Sequence, residues 1–136
     1  MAQLNLVVGD VDGNTSRIVA AANEARDRYR ADLVMLPELA VSGYPPEDLL
    51  FHSGMRLQVA RSLERLKEEV RGITLIAGYP EYSGAKIFNS AIVIRDGKVL
   101  ANGRCPAPPL RQRSPPTRPP PRRPWASHEP EERTTS

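Results

Sequence analysis

Proline divides this 136-residue chain in two before any other property is considered. Ten of the 14 prolines lie beyond Arg104; only Pro37, Pro45, Pro46 and Pro80 precede it. Proline fixes φ and has no amide hydrogen to donate, so a segment this rich in it sustains neither a helix nor the interior of a sheet. Past Gly103 the only bulky apolar side chains are Leu110 and Trp125, too few to offset the entropy of ordering that stretch. The pattern predicts a folded unit over residues 1–103 and a disordered Pro/Arg-rich tail over residues 104–136.

Charge obeys the same division. Residues 104–136 hold seven of the 19 basic residues and three of the 16 acidic ones, which leaves 12 against 13 in residues 1–103. The net +3 of the whole chain therefore belongs to the tail, and a folded part this close to neutral offers no basic surface for a nucleic acid. No run approaches the roughly 18 apolar residues of a membrane span, and the N-terminus lacks a basic stretch followed by an apolar one. A membrane partner is not expected, and a cytoplasmic location is. With one cysteine, Cys105, and two histidines, His52 and His128, neither a disulfide framework nor a zinc cluster is expected.

Within the first 103 residues the apolar spacing predicts the order β-α-β-α-β-β-β. Ala2–Val8 alternates as a strand, and Gly13 or Asn14 would cap a helix from Thr15 to Tyr29, with Ile18, Ala21, Ala22, Ala25 and Tyr29 as its apolar stripe. The continuous apolar run Ala31–Leu36 reads as a strand covered on both faces and stopped by Pro37. A loop over Glu38–Phe51 leads to a second helix, expected to be the longest, capped by Ser53 and running through Leu57, Ala60, Leu63, Leu66 and Val70 to Gly72. Strands at Ile73–Tyr79 and Ile87–Arg95 follow, and Asp96-Gly97 turns the chain into Lys98–Ala101.

Four segments in order resemble one family. Leu36-Pro37-Glu38-Leu39 is similar to the Pro-Glu-Leu segment of nitrilase-superfamily carbon–nitrogen hydrolases, and Gly43-Tyr44-Pro45-Pro46-Glu47-Asp48-Leu49-Leu50 resembles the glutaminase domain of glutamine-dependent NAD+ synthetases. Ala2-Gln3-Leu4-Asn5 with Val8-Gly9-Asp10 and Gly13-Asn14, and Gly78-Tyr79-Pro80 with Phe88-Asn89-Ser90-Ala91, resemble the same domain. The resemblance implies an α/β fold, here part of an α-β-β-α sandwich, paired into homo-oligomers. It further implies a Glu-Lys-Cys triad that hydrolyses the side-chain amide of glutamine through a thioester and passes ammonia to a synthetase domain. ATP and Mg2+ are implied only for that synthetase domain, and no cofactor for the amidase part.

Carried onto this chain, the resemblance makes Glu38 the general base. A carboxylate at the mouth of an apolar strand is partly desolvated, which suits it to take a proton from a thiol. Taken alone, Glu38 reads instead as a loop cap bonded by backbone amides. Tyr44 is a candidate substrate contact, and with Pro45 and Pro46 it reads equally as a rigid surface turn. Where the family carries its lysine, within a Lys-x-x-Leu-Pro-Asn-Tyr segment, this chain has Cys105-Pro106-Ala107-Pro108-Pro109. Lys98 follows a hairpin turn and reads as a solvated side chain; Cys105, between Arg104 and Pro106, does not match the family's nucleophile, which belongs on a strand-to-helix elbow further along.

The sequence therefore predicts a truncated glutaminase domain with little or no amidase activity of its own. The tail has the composition of a GC-rich gene read out of frame, and Met1 directly before Ala2-Gln3-Leu4-Asn5 is consistent with a misassigned start. Three other readings compete: a fragment of a stand-alone nitrilase-type amidase, a binding module built on the P-x-x-P strings Pro116–Pro119 and Pro121–Pro124, and a non-catalytic partner of an intact homologue. Without most of a second sheet, the inner faces of Leu33–Leu36 and Ile73–Ile76 should lie uncovered.

Overall fold

The computed structural model of the protein describes residues 1–112. Its elements are α1 (Val11–Asp27), β1 (Leu33–Met35), a 3-10 turn (Glu47–Phe51), α2 (Ser53–Glu69), β2 (Thr74–Ser83), β3 (Lys86–Arg95) and β4 (Lys98–Arg104). The four strands form one sheet in the order β1-β2-β3-β4. β1 runs parallel to β2, pairing Val34 with Leu75, as a helical crossover requires. β2, β3 and β4 are successive antiparallel neighbours joined by tight turns.

Two helices lie side by side on one face of this sheet. Ile18 and Ala22 of α1 and Val59 and Leu66 of α2 meet Val34, Leu75, Ala77, Ile92 and Ile94 of the strands in one buried cluster. The helices are also joined by a buried hydroxyl pair, Thr15 Oγ1 to Ser62 Oγ at 2.5 Å. The opposite face carries Leu33, 48 % exposed, and Met35, 42 % exposed, beside half-buried Ile76 and Val93. The strand at Leu33–Met35 is thus covered on one face only, contrary to its continuous apolar composition, whereas the uncovered inner face predicted for an incomplete sandwich is present.

Several boundaries differ from the sequence reading. In Ala2–Val8, Ala2, Leu4 and Leu6 are half-buried in alternation, but the segment forms no strand: Leu6 N–H turns back to Leu4 O at 3.0 Å, and its contact with the sheet edge is Ala2 N–H to Met35 O at 2.9 Å. The helix begins four residues early because Asp10, not Gly13 or Asn14, is the N-cap, accepting from Gly13 N–H at 3.0 Å. Asn14 is instead fully buried and ties the N-terminal segment down, accepting from Val7 N–H at 2.8 Å and donating to Val7 O at 2.7 Å and Val41 O at 3.3 Å. Tyr29 lies beyond the end of α1 and is exposed.

In α2, His52 rather than Ser53 occupies the cap position, and both helices have 17 residues, so neither is the longer. Its buried stripe is Met55, Val59, Ser62 and Leu66, with Leu57 facing solvent. The hairpin at Asp96-Gly97 forms as expected, both residues taking positive φ (48° and 82°), the requirement of its tight two-residue turn.

β2 runs on through Pro80, which a central strand would not tolerate. Its pairing with β1 ends at Ile76, so beyond that point one edge of β2 faces no further strand. The chain also stays attached to the sheet past residue 103: Cys105 N–H donates to Asn89 O at 2.8 Å, and Leu110 bridges to Ile87. Order therefore extends beyond the expected start of the disordered tail because the first residues of β3, past the end of its pairing with β4, supply a pairing edge. The remainder of that tail, residues 113–136 with both P-x-x-P strings, lies outside the described residues.

Among the described residues no helix is long and apolar enough to cross a membrane, and no cluster of three or more His, Cys, Asp or Glu side chains could hold a metal ion.

Candidate active site

The end of β1 is held by two main-chain bonds to β2: Leu36 N–H to Ile76 O at 2.9 Å and Val41 N–H to Gly78 O at 3.2 Å. Between them, Pro37-Glu38-Leu39 passes directly over Gly78. A Cβ at Gly78 would lie 2.5 Å from Leu39 N, 2.7 Å from Pro37 O and 2.9 Å from the Glu38 carbonyl carbon. Glycine is therefore required there for close approach. Leu39 turns the chain through the left-handed region, φ 51°, a strained conformation for a branched side chain. It is held by Ser42, whose N–H (3.1 Å) and Oγ (3.3 Å) both donate to Leu39 O, and Leu39, Ala40, Val41 and Ser42 are all buried.

This buried elbow presents the Glu38 side chain to solvent on the open face of the sheet. Glu38 is exposed rather than desolvated, since among the described residues no second layer covers that face. Among the described residues one side-chain bond is made to the carboxylate: Asn89 Nδ2 on β3 donates to Glu38 Oε1. Glu38 sits between two hollows. One is lined by Met35, Pro37, Ile76, Asn89, Ala91 and Cys105, the other by Tyr44, Pro45, Phe51 and Leu110. Tyr44, 66 % exposed, thus lines the second of these hollows together with Glu38.

Cys105 is exposed but not in structureless chain: its backbone is pinned to Asn89, and it lines the hollow that holds Glu38. Lys98 stands at the start of β4, exposed, and lines neither hollow; among the described residues no lysine does. Arg104 is committed elsewhere. Its guanidinium donates to Glu81 Oε1 at 2.6 and 3.0 Å and lies 4.2 Å from the Phe88 ring centroid. Arg104, desolvation opposing it, then Ser90 and Asn102 set the charge state of Glu81, and the net effect is to hold its carboxyl down at about 2. This knot ties β2, β3 and β4 together.

Two of these residues were not singled out from the sequence. Asn89 and Gly78 both lie in segments that carry the family resemblance, yet their roles depend on contacts with residues about 40 to 50 positions away, and only those shared segments could have signalled them.

The carbon–nitrogen hydrolase family model matches residues 1–118. The chain belongs to that family. This carbon–nitrogen hydrolase is similar to the glutamine-dependent NAD(+) synthetase of Xanthomonas campestris pv. campestris, with 43 % identity over 104 residues, covering 76 % of the chain and 19 % of the relative. The Thermotoga maritima synthetase is 35 % identical over 102 residues, covering 74 % and 17 %. Among solved structures, the Acinetobacter baumannii glutamine-dependent NAD+ synthetase in complex with ADP superposes with a TM-score of 0.72 at 34 % identity, covering 76 % of the chain and 20 % of that protein. The crystal structure of an amidase from Nesterenkonia sp. gives 0.67 at 28 %, covering 75 % of the chain and 40 % of that protein. The chain therefore spans about a fifth of the length of the curated relatives it matches.

Proposed function

We propose that residues 1–103 are the N-terminal portion of the glutaminase part of a glutamine-dependent NAD+ synthetase, with Glu38 as the general base. The observation that carries this reading is the elbow over Gly78, which fixes a glutamate backbone rigidly while leaving its carboxylate open on the sheet face. In the proposed chemistry Glu38 takes the proton of a cysteine thiol; the thiolate attacks the amide carbon of glutamine, ammonia departs, and water releases glutamate from the thioester. The thiol and the ammonium group that would steady the oxyanion are not assigned to any residue of this chain. On this reading the chain by itself releases no ammonia from glutamine, since a thiolate without an oxyanion donor loses the largest contribution to acyl transfer.

Glutamine as substrate, a synthetase domain as the recipient of ammonia, a homo-oligomeric assembly and a cytoplasmic location all belong to this proposal. ATP and Mg2+ belong to the synthetase part and the amidase part needs neither. A second reading, a portion of a stand-alone amidase, draws on the superposition on the Nesterenkonia enzyme, at a TM-score of 0.67 and 28 % identity.

A chimera tests the proposal: residues 1–103 of this chain replace the matching segment of the Xanthomonas campestris synthetase. Ammonia release from glutamine should survive the exchange and fall by about 10²- to 10⁴-fold in Glu38→Gln, the usual contribution of a general base. A chimera that prefers small aliphatic amides to glutamine would favour the stand-alone reading. Full activity in Glu38→Gln would refute the role of Glu38 in both.

A further inference from the structure

We propose that Asn89 is a positioning residue for the Glu38 carboxylate, an inference that rests on Glu38 being the general base. A solvent-exposed glutamate has three side-chain torsions to order, whereas a base must hold its oxygen within about 3 Å of the proton it takes. The backbone elbow fixes only the Cα of Glu38. What fixes the carboxylate is the bond from Asn89 Nδ2, made across the open face from a residue 51 positions away.

The chemistry of that donor fits the task. A carboxylate offers only acceptors, so the Asn89 amide must present its NH2 group to it. An amide does not titrate in this range and carries no charge, so it restrains the base without competing for the proton, and it favours the ionised carboxylate less than a guanidinium would. Only Oε1 is engaged among the described residues, which leaves Oε2 to receive the proton. Asn89 is itself anchored: it is half-buried, stands opposite Pro80 in the β2–β3 register, and its carbonyl accepts the Cys105 N–H at 2.8 Å. The Asn89 backbone is thus fixed, and its side chain has two torsions to order against three for the glutamate.

Nuclear magnetic resonance on the isotopically labelled full chain, kept dilute enough to sediment as one species, tests this directly. Three-bond couplings across the Glu38 side-chain torsions should report one dominant rotamer in the wild type. In Asn89→Leu, similar in volume but without a donor, and in Asn89→Ala they should collapse to averaged values, while backbone amide shifts away from β3 stay in place. A purely structural role would not move the rotamer of Glu38 selectively. A second measurement needs no change at position 89: the Asn89 side-chain NH2 protons should shift as Glu38 titrates, and that response should vanish in Glu38→Gln. A single Glu38 rotamer that persists in folded Asn89→Leu or Asn89→Ala, an already averaged one in the wild type, or NH2 protons blind to Glu38 would each overturn the proposal. The base reading fails separately, through a chimera that stays active as Glu38→Gln, whatever the couplings show.

Discussion

Replacing Gly78 by alanine should damage the protein far more than a single methyl suggests. The new Cβ would lie 2.5 Å from Leu39 N, about 0.9 Å inside the 3.4 Å at which ordinary contact begins, and all three of its nearest neighbours are backbone atoms that no rotamer change can move. The Pro37–Leu39 segment must retreat by most of that distance. A shift of that size stretches the Val41 N–H to Gly78 O bond from 3.2 Å to about 4 Å, beyond hydrogen-bonding range. Overpacking of this kind costs about 1–3 kcal/mol and a lost backbone bond about 1 kcal/mol more, so Gly78→Ala should destabilise by about 2–4 kcal/mol. Urea denaturation followed by circular dichroism measures it. Gly54→Ala is the matched control: a Cβ there meets nothing within 4 Å and the site is helical, so it should stabilise by about 0.5–1 kcal/mol. A Gly78→Ala protein within 0.5 kcal/mol of the wild type would mean that the elbow is not pressed against β2 and that the account of how Glu38 is fixed is wrong.

Other consequences are open to measurement. Asn14→Leu strands Val7 N–H, Val7 O and Val41 O and should destabilise by about 2–4 kcal/mol, with protease cleavage near residues 2–8 rising in step. The Glu81 carboxyl is held below its ordinary 4.5, at about 2, so its knot stabilises fully above pH 4.5 and loses that contribution as pH falls from there through 2; Glu81→Gln should flatten this slope in urea midpoints taken between pH 5 and 2. Sedimentation velocity should show concentration-dependent self-association of the wild type through the face bearing Leu33, Met35, Ile76 and Val93, and Val93→Lys should weaken it; an unchanged association in that variant would point to another surface.

The elements that could be read from the sequence are those whose reasons are local. Both helices, the Ile87–Arg95 strand and the Asp96-Gly97 turn follow from spacing and turn chemistry within a few residues. The N-terminal strand failed because alternation at Ala2, Leu4 and Leu6 reports burial, whereas a ladder needs a partner, and β1 offers only three residues. The cap of α1 failed for a similar reason: Asp10 and Asn14 are equally good capping residues, and what assigns Asp10 to the cap is that Asn14 is drawn inward by Val7 and Val41. Glu38 was legible only through the family segment that surrounds it. Apolar patterning also implied a partly desolvated carboxylate, since a continuous hydrophobic run cannot reveal whether both of its faces find a cover within the same chain.

The arrangement of the sheet carries a consequence for how the molecule comes together. β2, β3 and β4 are sequence neighbours linked by short reversals, so their pairing closes only small loops and should form early, whereas β1 reaches β2 only through a crossover containing the whole of α2. The meander carries Asn89 and the crossover delivers Glu38, so the proposed base should meet the residue that positions it only when the crossover docks on the sheet.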